Sequence, residues 1–171
     1  MTKFKYTGKL KKTKHKSKVY HCLAMDTETN VINDGKGNIT FPFRLGVAIY
    51  FIIDDNGTIT DKEIIPFFSI KQFISILDKY MSKDYTLLMF AHNVGFDIRV
   101  LDLVKYFNNN LWLSEPPVIN GRLFIWSLSN HGKAIKILDT ANYGVQSIAQ
   151  LGKDFGYDKG SVDFDNVGDT E

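Results

Sequence analysis

Cysteine is all but missing from this chain of 171 residues: Cys22 stands alone, which excludes an internal disulfide and any cysteine-built zinc cage. An intracellular home is the expectation that follows, with Cys22 as a small buried apolar side chain. Long apolar runs are missing too. Nothing approaches the roughly 18 residues of a membrane-spanning helix, and no charged, apolar, small-residue signal peptide opens the chain. The sequence therefore reads as soluble, with no membrane partner. There is no glycine-rich phosphate loop, no serine-centred nucleophile motif and no internal repeat, so P-loop enzymes, serine hydrolases and solenoids are not indicated. None of the four histidines has a partner at zinc-ligand spacing, and His92 reads as a hydrogen-bonded structural residue.

Acid is missing from one stretch. Residues 1–18 carry eight lysines and no Asp or Glu, so the rest of the chain holds 13 basic residues against 19 acidic, a net of −6 beneath an overall +2. Their spacing gives no apolar face, and residues 1–18 read as a flexible basic arm, either solvated or touching nucleic-acid phosphates. The remainder, 19–171, reads as one domain: 44% of the chain is hydrophobic, enough for a single good core.

What is present begins with Asp26-Thr27-Glu28, reached from the apolar run Val19–Met25, which reads as a strand ending at the first acid. Strand side chains repeat with period two, so Asp26 and Glu28 share a face. Two carboxylates held that close repel unless a cation lies between them, and a hard divalent ion on oxygen ligands is how proteins cut phosphodiesters. The plain alternative is a strand running into an acidic turn.

Around the triplet the pattern alternates strand and helix. Phe43–Ile53 and Thr58–Pro66 read as strands joined by the turn Asp54–Gly57, forming a meander with the first strand. Ser69 caps a helix presenting Phe73, Ile76, Leu77 and Tyr80, and Tyr85–Ala91 reads as a strand covered on both faces. Ile98, Leu101 and Val104 mark another helix, Trp112–Ile119, Leu123–Ser129 and Lys133–Leu138 further strands, and Val145–Phe155 a last helix. The class is α/β.

A second chemical stretch, His92-Asn93-Val94-Gly95-Phe96-Asp97, leaves the buried strand. Asp97 in the first turn of the next helix suits the helix dipole as a cap, yet it stands where open α/β sheets place their ligands.

Asp26-Thr27-Glu28 followed by Asn93-x-x-Phe96-Asp97 resembles the first two motifs of the 3′ to 5′ proofreading exonuclease domain of family B DNA polymerases, particularly the protein-primed polymerases of phages, viruses and linear plasmids. The resemblance implies a ribonuclease H-like (DnaQ-like exonuclease) fold, a mixed sheet flanked by helices. It implies two Mg²⁺ or Mn²⁺ ions on Asp26, Glu28 and Asp97. It also implies contacts from Thr29, Asn93, Phe96 and Thr140 to the single-stranded DNA 3′ end, with Lys159 assisting cleavage. Thr140 departs from the pattern, since Ala141 follows where the family has Leu. An aromatic face stacks any base, which suits proofreading, although Phe96 equally suits a core, and Lys159 an ordinary surface position.

In the family a third motif, Tyr then Asp, completes the site. No such pair lies between Lys159 and Glu171, and no polymerase motif is present. The expectation is the N-terminal part of a longer polymerase, truncated before that motif and a weak nuclease alone. Its partners would be the rest of the polymerase chain and a terminal protein primer. The compartment stays open between the cytoplasm and a viral or mitochondrial replicon. A stand-alone DnaQ-like exonuclease and a catalytically weak single-strand-binding module are the alternatives.

Overall fold

Alternation along the first strand sets the architecture. In β1 (Tyr20–Thr29), Leu23, Met25 and Thr27 are buried while Asp26 and Glu28 are exposed. The computed structural model describes residues 18–120, 123–142, 146–154 and 156. The basic arm up to Lys16, Lys159 and the acids Asp163, Asp165 and Asp169 lie outside them.

β1 runs on through the acidic triplet, past the first acid, so both acids lie on the strand and share its face as expected. A two-strand hairpin, β2 (Ile32–Asn33) and β3 (Ile39–Thr40), follows, with residues 34–38 as its turn. Asp34 organises its tip, accepting the N–H groups of Lys36 and Asn38. β4 (Phe43–Ile53) and β5 (Ile59–Phe67) then complete the antiparallel meander, joined by a turn in which Asp54 accepts from Asn56 and Thr58 and Gly57 takes φ +83°.

The helix α1 (Ile70–Tyr80) begins where its cap requires: the Ser69 hydroxyl accepts the Gln72 N–H at 3.2 Å, and Phe73, Ile76, Leu77 and Tyr80 are all buried. β6 (Thr86–Ala91) pairs parallel to β1. Its burial alternates, with Leu87, Met89 and Ala91 buried and Leu88 and Phe90 half-buried. The expectation of full cover on both faces was too strong, because an uninterrupted apolar run does not reveal which face the helices take.

The amphipathic stretch that follows is two helices, α2 (Val94–Val100) and α3 (Leu103–Asn109), broken where Asp102 adopts φ +50°. The expected strand at 112–119 is only β7 (Leu113–Ser114) and β8 (Val118–Asn120), since Pro116 and Pro117 between them cannot donate to a ladder. β9 (Leu123–Asn130) and β10 (Lys133–Asp139) form a hairpin. A 3₁₀ turn at Thr140–Asn142 and α4 (Ile148–Asp154) end the described part.

The main sheet has the order β5-β4-β1-β6-β10-β9-β7, with β8 also on β9. Its centre, β1, β6 and β10, is parallel, and its flanks are antiparallel. This is a mixed α/β architecture. Residues of α1, α2 and α3 share one core with Leu23, Met25, Leu87, Met89, Ile135 and Ile137. Cys22 is fully buried, as expected, and burial pushes its thiol up to about 11. Among the described residues no helix is long and apolar enough to cross a membrane.

Candidate metal and single-strand site

The parallel ladder between β1 and β6 stops at Ala24 opposite Phe90, so Asp26, Thr27 and Glu28 extend beyond it, paired only with β4. Past that point β6 turns through His92 and Asn93 into α2, which packs against β1, β6 and β10. The carboxyl ends of the three parallel strands are thus where the two acidic motifs meet, as ligand sites in open α/β sheets do.

Asp97 is the centre of the meeting. It is only 2% exposed, and its Oδ1 accepts the Thr27 hydroxyl at 2.7 Å. Residues seventy apart in the chain are therefore in contact. Burial raises the Asp97 carboxyl from 3.8 to about 6, and the neighbouring charge of Asp26 adds to the rise while the Thr27 hydrogen bond opposes it. The pleat turns Thr27 toward Asp97 and leaves Asp26 and Glu28 on the exposed face. Past Glu28 the register shifts, and half-buried Thr29 pairs with Phe43 at a bulge.

The other expected residues divide. Asn93, exposed, is the α2 cap residue and sits at φ +60°, ψ +48°, making no side-chain cap bond. Its carbonyl accepts the Phe96 N–H at 2.8 Å. Phe96 is half-buried and is not a member of the core cluster. Thr140 is largely committed to the protein: its hydroxyl donates to the Ala91 carbonyl at 3.3 Å, so at 3.0 Å His92 Nδ1 is the donor to Thr140 Oγ1. His92 is thus hydrogen-bonded, as its isolation in the sequence suggested.

One residue of the corner was missed. Asp139, 6% exposed at the end of β10, accepts the N–H groups of Asn93 and Val94 at 3.0 Å each and of Ala141 at 2.8 Å. The sequence places it at a strand end, in the stretch with Thr140 that resembles the family, without a role of its own. Its partners emerge from the parallel pairing that sets Asp139 beside Ala91, which no local pattern reveals.

A hard divalent ion fits part of this set. All donors are carboxylate oxygen, and the charged form of Asp97 is disfavoured by burial and by Asp26, the cost that a cation relieves. Glu28 shares the exposed side of β1 with Asp26, but among the described residues no three of His, Cys, Asp and Glu are grouped closely enough to hold a metal. No protein-family model, characterised protein or solved structure matches the chain, so its chemistry is argued from these contacts and from the two motifs.

Proposed function

We propose that this chain carries the 3′ to 5′ exonuclease part of a family B DNA polymerase of the protein-primed type, with a ribonuclease H-like fold. The observation that carries the reading is the contact of Asp97 with Thr27: the second motif closes on the middle residue of the first. The mixed sheet with helices packed on it agrees with the architecture that the motif pair implies. The rest of the polymerase and a terminal protein primer are the partners that complete this reading.

On this proposal Asp26, Glu28 and Asp97 hold two Mg²⁺ or Mn²⁺ ions. When bound, such ions supply an activated water and offset charge on a leaving 3′ oxygen. The chain itself orients and binds. Thr27 fixes the rotamer of Asp97, so that its carboxylate is preset before any ligand arrives. Asn93, on the exposed turn of the corner, offers an amide to the strand, and half-buried Phe96 offers a stacking face indifferent to base identity. Thr29, at the β1 bulge, is a further strand contact on this reading, Thr140 keeps an oxygen lone pair for the strand, and the role that the resemblance implies for Lys159 is to assist cleavage.

The test is a single strand labelled at its 5′ end and incubated with Mn²⁺. The 171-residue chain is expected to shorten it stepwise from the 3′ end, slowly, and Asp97→Ala to lower that rate on the order of 100-fold or more. Internal cleavage would contradict the reading, as would shortening that survives Asp97→Ala.

One observation favours a second reading. Because no three acids or histidines group together among the described residues, a module of the same fold that binds single strands without cutting them is the alternative. Tight binding with no shortening at any Mn²⁺ concentration would select it.

A further inference from the structure

The corner between β6 and α2 carries Asn93, Phe96 and Asp97, and its local support is slight: one backbone bond, from the Phe96 N–H to the Asn93 carbonyl, and no side-chain cap. Asn93 sits in the left-handed region, which non-glycine residues adopt at some cost, and its own side chain does not cap the helix. α2 has only seven residues, too few to be stable by itself. The missing bonds come from another strand.

We propose that Asp139 is a positioning residue for the metal site proposed above: its carboxylate fixes the β6–α2 corner and thereby the place of Asp97 against Thr27 of the acidic triplet. This rests on the reading of the site given above. Oδ1 accepts from Asn93 and Ala141, and Oδ2 accepts from Val94. Both oxygens are engaged by backbone donors in a buried setting, so Asp139 is not a further metal-binding carboxylate of the site.

A cap supplied by a helix's own side chain fixes only where that helix starts. A cap supplied by β10 fixes the helix against the sheet, because β10 is locked to β6 in parallel register as far as Asp139 beside Ala91. Asp97 follows Val94 by one helical turn, so any drift of the corner carries its carboxylate with it. Thr140 adds a second tie through the Ala91 carbonyl and His92. Groups that orient ligands from behind are commonly worth 10- to 100-fold in metal affinity.

Mn²⁺ affinity of the full chain, measured calorimetrically well below each melting temperature, tests the assignment. Asp139→Ala is expected to bind Mn²⁺ about 10-fold more weakly or worse. Asp139→Asn is expected to fall between it and the wild type, since its amide oxygen can still accept while its nitrogen cannot. Faster amide exchange at Asn93 and Val94 should accompany the loss. A purely structural cap would lower the melting temperature of both variants and leave Mn²⁺ affinity unchanged, and that result overturns the proposal. If Asp139→Ala does not fold, the Asn variant decides by the same criterion. A wild type that binds no Mn²⁺ removes the site reading and this role together, whereas variants with wild-type affinity remove this role alone.

Discussion

In EDTA at pH 7, Asp97→Asn is expected to melt several degrees above the wild type. The Asp97 carboxyl is raised from 3.8 to about 6 in the folded protein, chiefly by burial. The folded state therefore holds its proton more tightly than the unfolded chain does. That linkage stabilises the wild type at low pH and is lost as pH rises from about 4 to about 6, so at neutral pH the buried charge is a net cost of roughly 2–3 kcal/mol. Asparagine removes the charge and keeps an oxygen to accept the Thr27 hydroxyl. The gap should vanish near pH 4, where Asp97 is protonated in the folded protein. Saturating Mn²⁺ should narrow it at pH 7, because an ion at about 100 times its Kd adds about 2.7 kcal/mol to the protein that binds it. Melting curves across pH 4–8, with and without Mn²⁺, check this. An Asn variant less stable than the wild type at pH 7 would mean that the charged form of Asp97 is satisfied without a cation.

Gly46→Ala is expected to destabilise the fold by about 3 kcal/mol, at the upper end for overpacking. A Cβ at Gly46 would stand 2.2 Å from Cζ and 2.5 Å from Cε2 of Phe67. That ring cannot easily retreat: it is fully buried, stacked on Phe43 at 5.6 Å and tilted against Phe73 at 5.1 Å. Gly46 pairs directly with Thr27, so the strain falls on the part of the sheet that carries the acidic triplet. Chemical denaturation measures the loss, and Phe67→Leu introduced with Gly46→Ala should recover part of it, since a smaller side chain removes the clash. A Gly46→Ala variant of wild-type stability would show that the glycine is not required for the close approach of the ring.

The parts of the fold legible in the sequence are those with local causes. β4, β9, β10 and α1 follow from apolar spacing, and the start of α1 from the Ser69 cap. Two failures have local causes that were outweighed in the reading. The apolar spacing of Ile98, Leu101 and Val104 continues through Asp102, but the backbone does not, and Val104 ends up half exposed. Pro116 and Pro117 divide a stretch that reads as one strand. At the site, the shared face of Asp26 and Glu28 was legible from period two, whereas the motif left Phe96 open between a core and a surface position. That Thr27 would be the residue touching Asp97 was not. Nor was the tie from Asp139 to the head of α2: both contacts depend on which strands become neighbours, and they span 70 and 46 residues of chain.

On the proposed function, Asp97, held against Thr27, shares one cation with Asp26 of the same triplet. Calorimetric titration of Mn²⁺ into the wild type, Asp26→Ala, Asp97→Ala and the double variant tests it most directly. One shared site predicts that each single substitution removes the same binding event and that the double variant loses nothing more. Single variants that each retain wild-type binding, or losses that simply add, would contradict it.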